Sequence, residues 1–130
     1  MDARALLAAL KRRRESSVEV APGKKVFFAR PPETDMRSML TVKPGEETGV
    51  WNVNLEHVQK YATGWSGFTE ADVMGAAIGA SDEIAFDQDL WSEMVADNIE
   101  WMQKMAAAIL DSVIAHLSKQ EAVAKNSEPA

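Results

Sequence analysis

The chain has 130 residues, of which 46% are hydrophobic and 26% charged, and its formal net charge is −6 at pH 7. This length and composition predict one globular domain with a buried core. The negative charge argues against bulk attraction to nucleic acid or to an anionic membrane, and interrupted apolar runs predict no membrane-spanning segment. The absence of cysteine excludes disulfides and thiolate zinc sites.

The first predicted elements are a helix over residues 2–15 and a β-hairpin over residues 16–30. Asp2 is a suitable N-cap, and the cations at 11–14 suit the negative C-terminal end of the helix dipole. A nucleic-acid patch is the alternative for this basic run, and the acidic net charge makes it the weaker one. Pro22-Gly23 is a turn signal between residues that favour strands.

The segment from 31 to 53 shows a weaker pattern. A short helical turn is expected over 34–40, a turn at Pro44-Gly45, and a short strand over 50–53. The pattern leaves open whether the loop over 43–49 is ordered or mobile.

The stretch "YATGWSGF", residues 61–68, raises a specific question, because it places Trp65 between two glycines. Asn54 is a plausible N-cap for the helix that precedes it, and Gly64 can end that helix in a left-handed conformation. Gly67 then supplies a second bend. These features predict a packed corner in which Trp65 lies between two helices.

Three further segments complete the chain. Thr69 can cap a short helix broken at Gly75 and Gly79, an extended connector is expected over 81–86, and Asp87 begins another helix. The inner face of that helix is expected to contain Leu90, Met94 and Val95.

The strongest helical pattern begins at Ile99. Its apolar residues recur at spacings of three and four, and the stripe is broad enough to indicate burial on more than one side. The first line of the stripe is Ile99, Met102, Ala106, Ile109 and Val113, and it is widened by Met105, Leu110, Ile114 and Leu117. We expect one domain over residues 1–122 and a polar flexible tail over 123–130.

Together these elements predict an α+β fold that is mainly helical, with an N-terminal β-hairpin or small antiparallel sheet and a long C-terminal helix. No catalytic, cofactor or metal site is predicted. His57 and His116 lack a partner base or nucleophile at a helpful spacing, and the acids over 82–89 do not have EF-hand spacing. The glycines of "GWSG" also lack the lysine and the preceding strand of a phosphate-binding loop.

One arrangement of motifs resembles a known family. "KKVFFARP" is followed by a helix running into "YATGWSGF", then by "ASDEIAFDQDLWSEMVADN" and a final helix. This order is similar to the tail assembly chaperones of lambdoid long-tailed bacteriophages, over roughly residues 25–116. The positions that carry the resemblance are Gly64, Trp65, Gly67, Ile84, Phe86, Asp87, Leu90 and Asp97.

The resemblance implies a function without catalysis. Such proteins bind the tape measure protein, keep this long helical chain soluble, and help the tail tube to polymerise around it. They act in the host cytoplasm and are absent from the mature virion. This chain would be the short form, acting with a longer form of itself made by programmed frameshifting, which contacts the tail tube protein. Association into a homo-oligomer or an open spiral is also implied, with no nucleic acid and no membrane as partners.

The broad apolar surfaces and large aromatic residues provide candidates for the partner or self-contact. These candidates are Leu6, Leu10, Trp65, Trp101, Met102, Met105 and Ile109. Two alternatives stay open. One is a small ligand-binding or enzymatic domain with a pocket formed by Trp51, Trp65 and His57. The other is a structural component of the virion, such as a head–tail connector.

Overall fold

The computed structural model describes the backbone of residues 2–127 and the side chains of residues 2–123. Over this range the chain forms six α-helices, a three-stranded antiparallel sheet and a two-stranded ribbon, which confirms the predicted α+β fold. The helices are α1 (Ala3–Arg13), α2 (Glu33–Met36), α3 (Leu55–Tyr61), α4 (Glu70–Met74), α5 (Gln88–Ala96) and α6 (Ile99–Ser127). The strands are β1 (Glu15–Ala21), β2 (Lys24–Ala29), β3 (Leu40–Thr41), β4 (Val50–Trp51) and β5 (Ala62–Ser66).

The predicted N-terminal hairpin is confirmed. β1 and β2 pair antiparallel around the Pro22-Gly23 turn, where Gly23 takes a φ of +77° that only glycine adopts easily. Alternation along β2 buries Val26 and Phe28 and leaves Phe27 largely exposed, so one face of the hairpin joins the core. The turn signal and the strand-forming residues beside it had predicted the hairpin, but not which face of β2 is buried.

The prediction that Gly64 ends a helix is wrong. Helix α3 begins after the N-cap Asn54, as expected, but it ends at Tyr61, and the next five residues form β5 beside β2. Gly64 has no positive φ and lies opposite Phe27 in the ladder. Pairing with the free edge of β2 satisfies the backbone groups of β5, and this non-local gain outweighs the helical pattern.

The middle of the chain forms a small subsidiary unit. The helical turn expected over 34–40 is confirmed as α2 followed by a 3₁₀ turn, Arg37–Met39. The strand expected over 50–53 is confirmed in part, since only Val50–Trp51 pairs, with β3. Met36 and Met39 anchor this unit in the core.

The C-terminal helices begin where their capping residues indicated. Thr69 and Asp72 form a capping box at α4, Gly75 ends that helix with a φ of +92°, and the Asp87 carboxylate accepts from the Leu90 N–H at 2.9 Å. Helix α6 packs against β1, α3 and α5 and runs through Ser127. Residues 128–130 of the predicted tail lie outside the described residues, and the flexibility of the tail stays a prediction.

The predicted stripe of α6 is only partly right. Met105, Ile109 and Val113, spaced by four residues, are fully buried against the sheet and α3, whereas Ile99 is 73% exposed and Ile114 is also exposed. Ile99 occupies the first position of the helix, next to Asn98, whose side chain accepts from the Trp101 N–H. The rest of the predicted stripe is partly buried against the core, namely Met102, Ala106, Leu110 and Leu117, so the prediction fails only at Ile99 and Ile114.

A candidate docking groove between the terminal helices

Helix α1 stands apart from the core. None of its residues is buried, and three leucines form an apolar face in which Leu6 is 51% exposed, Leu7 44% and Leu10 57%. The helix forms because of local signals: the Asp2 carboxylate accepts from the Ala5 N–H at 2.8 Å, and basic residues occupy the last turn. An eleven-residue helix is marginal alone in water. An unpartnered apolar face on such a helix indicates a surface that something else covers.

A groove of about 930 Å³ lies between α1 and the C-terminal half of α6. Leu7 and Leu10 of α1 and Val123 of α6 give it apolar walls. The remaining lining residues are polar or cationic, and none is acidic: Arg13, Arg14, Arg30, His116, Lys119 and Gln120. The groove is thus both apolar and positively charged, although the whole chain is acidic.

Arg30 makes two hydrogen bonds at the base of this groove. The Arg30 N–H donates to the Arg14 carbonyl at 2.7 Å, joining the end of β2 to the residue after α1. The Arg30 guanidinium donates through Nη1 to the Pro31 carbonyl at 2.9 Å. Burial and the neighbouring Arg14 lower the pKa of Arg30, and Glu33 acts in the opposite direction. The two guanidiniums therefore repel each other where they meet.

His116 lies beside this cluster on α6. Its Nε2 is buried without a hydrogen bond and is 3.8 Å from a Glu33 carboxylate oxygen. That separation is too long for a hydrogen bond. Sequence reasoning had found no catalytic partner for His116, and in the described part of the chain the nearest acid is this loosely placed glutamate.

The chain has a marked charge asymmetry that agrees with the position of the groove. Residues 1–42 contain nine Lys or Arg and five Asp or Glu, which gives a net charge of +4. Residues 43–100 contain two Lys and twelve Asp or Glu, which gives a net charge of −10. At the other end of α6 a smaller cleft of about 320 Å³ is lined by acids and apolar residues, among them Glu93, Asp97 and Trp101. A third acid there, Asp72, already pairs with Lys24 at 3.1 Å.

The predicted contact residues do not lie together. Leu6 and Leu10 are on the exposed face of α1, whereas Met105 and Ile109 are fully buried in the core. Trp101 and Met102 are half-buried and pack on the core near α5. Of the predicted contact residues, the two leucines are the most exposed, and Trp101 is reached through the smaller cleft that it lines.

Trp65 is a core residue that holds the sheet against the segment before α5. It is 8% exposed, and its indole N–H donates to the Ile84 carbonyl at 2.8 Å. Its ring packs on Phe68 at 4.7 Å and on the edge of Phe86 at 5.2 Å between ring centroids. Phe68 in turn contacts Trp101 and the fully buried Trp91. Trp65 therefore packs as predicted, but from a strand.

Gly67 is the bend that the sequence predicted in this stretch. Its φ is +83°, and its N–H donates to a Glu83 carboxylate oxygen at 2.6 Å. A side chain at this position would collide with the Gly23 carbonyl, so the chain just after β5 approaches the hairpin turn closely only because residue 67 is a glycine.

The alternative of an aromatic pocket formed by Trp51, Trp65 and His57 stays a proposal. His57 stacks on Tyr61 and accepts from the Asn54 N–H through Nδ1, which is a helix-capping arrangement. Trp51, Trp65 and His57 line neither of the two cavities described above. Among the described residues no group of three or more His, Cys, Asp or Glu side chains is close enough to hold a metal ion.

Sequence reasoning did not identify most of the groove. Leu10 was a predicted contact residue, but the sequence pattern explained Arg13 and Arg14 by the helix dipole. Nothing in the pattern pointed to Arg30, Lys119 or Val123 as binding residues.

No described helix combines the length and the apolar character needed to cross a bilayer. Comparison of the chain with protein-family models, with curated proteins and with solved structures gave no match.

Proposed function

We propose that the chain is a non-catalytic tail assembly chaperone of the lambdoid long-tailed phage type, which binds the tape measure protein and keeps it soluble while the tail tube forms. The observation that supports this function is the exposed leucine face of α1 on a chain with a net charge of −6. A client that exposes apolar helical stripes is shielded when an apolar surface covers them. The acidic remainder of the chain keeps such a complex dispersed.

The domain has the organisation expected of a binding protein. The core is complete without α1, because its buried residues come from the sheet, α2, α3, α5, α6 and the connecting segments. Leu6, Leu7 and Leu10 therefore contribute little to folding and are free to bind. These leucines are about half exposed, so burial of the exposed part of each against a client contributes about 0.7 to 1.5 kcal/mol to association before the entropic costs of binding.

Several further properties belong to the proposal through the family resemblance. We propose that the chain works beside a longer, frameshifted form of itself that recruits the tail tube protein. We also propose that copies associate into a homo-oligomer or open spiral, for which the charge asymmetry between residues 1–42 and 43–100 offers a head-to-tail attraction. The site of action is the host cytoplasm, and the protein is absent from the finished virion.

Co-expression with the tape measure protein of the same phage tests the proposal. The wild-type chain is expected to keep the tape measure protein in the soluble fraction and to co-purify with it. The double variant Leu6→Asp, Leu10→Asp is expected to lose both effects. Ile78→Asp is the matched control, because Ile78 is 73% exposed and lies outside α1. All variants should keep their thermal unfolding midpoint, since none of the three side chains is in the core.

Failure can be recognised at two levels. If the tape measure protein stays insoluble with the wild-type chain and nothing co-purifies, the chaperone function is wrong. If the double variant works as well as the wild type, the α1 face is not the client surface. Mass spectrometry of purified virions distinguishes a chaperone from a head–tail connector. Detection of the chain in stoichiometric amounts would favour the structural component.

A further inference from the structure

The groove between α1 and α6 combines two properties that together specify a ligand. Leu7, Leu10 and Val123 provide apolar contact area, and cationic side chains flank it on both helices. Arg13 and Lys119 are exposed and are placed one on each helix. A ligand that fits must therefore be apolar along one side and negatively charged along its edges.

Four cations of the groove take part in no salt bridge among the described residues, namely Arg13, Arg14, Arg30 and Lys119; the salt bridges that occur involve Lys24, Lys60, Lys104 and His116. Burial is the main cause that lowers the pKa of Arg30, repulsion from Arg14 adds to it, and Glu33 acts in the opposite direction. A carboxylate placed there would relieve this repulsion and form charge-assisted hydrogen bonds with the guanidinium groups.

We propose that this groove docks an acidic amphipathic helix of a partner protein, with the apolar stripe of that helix on Leu7, Leu10 and Val123 and its carboxylates on Arg13, Arg30 and Lys119. The inference rests on the proposed function in taking α1 as a binding surface, and it adds the chemical class of the segment that binds. It predicts that clients are selected by negative charge beside an apolar stripe, and not by apolar surface alone.

The shape of the groove favours a helix as the occupant. Its two walls are helices, and a third helix can pack its side-chain ridges between them. Helix α1 has eleven residues and is about 16 Å long, which matches two to three turns of a bound helix. Arginine also binds carboxylates better than lysine does, because its planar guanidinium group can donate two parallel hydrogen bonds to one carboxylate, whereas the lysine ammonium group is a point charge.

Two other occupants fit less well. Nucleic acid would meet a small cationic patch that has no Phe, Tyr or Trp among its lining residues on which bases could stack. A second copy of the chain would offer its acidic cleft. That cleft has about a third of the volume of the groove, and its Asp72 is already paired with Lys24.

Fluorescence anisotropy with designed peptides tests the proposal. The probe is a fluorescein-labelled helical peptide of about 12 residues with leucines spaced by three and four and glutamates elsewhere. One control peptide has every glutamate replaced by lysine, and another has the same composition with its leucines dispersed. The glutamate peptide is expected to bind at least about tenfold more tightly than either control peptide. Its affinity is expected to fall as the salt concentration increases.

Variants of the chain locate the binding. In the double variant Arg13→Glu, Lys119→Glu, the affinity for the glutamate peptide is expected to fall by about tenfold or more, and the affinity for the lysine peptide is expected to rise. Lys43→Glu is the matched control, because it is an exposed cation in the 43–49 loop, and binding should stay within about twofold of the wild type. Leu10→Ser is expected to weaken binding without changing the salt dependence.

Defined results would overturn the inference. Equal affinity for the glutamate and lysine peptides would contradict a role for the cations of the groove. The same would follow if Lys43→Glu lost as much affinity for the glutamate peptide as the double variant does. Displacement of the peptide by a short oligonucleotide would assign the groove to nucleic acid. Absence of peptide binding, together with a change in sedimentation for the double variant, would assign it to self-association. Each of these results leaves the co-expression test intact, so this inference and the chaperone function can fail separately.

Discussion

Replacement of Gly67 by alanine provides a direct test of how the sheet closes against the hairpin turn. Gly67 has a φ of +83°, and a Cβ there would overlap the Gly23 carbonyl oxygen. An alanine pays about 1 to 2 kcal/mol for the left-handed conformation, and the collision adds about 1 to 3 kcal/mol, since backbone on both sides must move. We expect the free energy of unfolding to fall by about 2 to 5 kcal/mol.

Gly45 provides a matched control for the conformational term. Its φ is +85°, and nothing lies within 4 Å of a Cβ built there. Gly45→Ala should therefore cost only about 1 to 2 kcal/mol. Urea unfolding followed by tryptophan fluorescence and by circular dichroism measures both variants. Equal losses for the two alanines would refute the close approach of Gly67 and Gly23.

Three other variants test the packing and electrostatics of the core. Ile109→Ala should lower the free energy of unfolding by about 2 to 5 kcal/mol, whereas Ile114→Ala, on the exposed side of the same helix, should stay within about 1 kcal/mol; equal costs would contradict the orientation of α6. Tyr61→Phe should cost about 1 kcal/mol, because the Tyr61 hydroxyl donates to the Asp35 carboxylate at 2.6 Å. The hydrogen bond from Tyr61 lowers the pKa of Asp35; Lys60 and His57 act in the same direction, and burial opposes them. The ionised Asp35 carboxylate therefore stabilises the folded state above about pH 4, and this stabilisation is lost as the pH falls through the lowered pKa of the folded state. Urea unfolding at a series of pH values should show this loss and a smaller one in Tyr61→Phe; identical profiles would contradict the assignment.

The sequence predicted the elements that depend on local chemistry. Asp2, Asn54, Thr69 and Asp87 each begin a helix where their side chains indicated, because a capping residue acts on backbone groups within its own turn. The Pro22-Gly23 turn was equally visible. These features need no knowledge of the rest of the chain.

Strand β5 could not be predicted in the same way. The residues 55–62 have apolar positions at helical spacing, and Gly64 is a common helix terminator, so the local pattern continued the helix too far. The strand exists because β2, more than thirty residues earlier, presents an unpaired edge. Gly67 is required by this geometry because a Cβ there would overlap the Gly23 carbonyl, whereas a Cβ at Gly64 would make only ordinary contact with the Phe27 ring.

The candidate groove was hidden for a related reason. Its lining residues come from α1, the end of β2 and the last turns of α6, which are up to 116 positions apart in the sequence. The basic residues at the end of α1 had a sufficient local explanation in the helix dipole, and the exposed position of Lys119 on α6 is ordinary. Only the approach of the two terminal helices joins these charges to the apolar residues Leu7, Leu10 and Val123.

Stability and binding are supported by different residues in this chain, and this separation has a consequence for affinity. The aromatic cluster around Phe68 and Trp91 and the buried face of α6 complete the core without α1. Helix α1 is held by its Asp2 cap and its basic last turn, so its leucines are already in helical register before a partner arrives. Such preorganisation reduces the ordering cost of association, and the cations at its end favour the approach of an acidic partner. Disrupting the Asp2 cap should therefore weaken partner binding more than it weakens the fold.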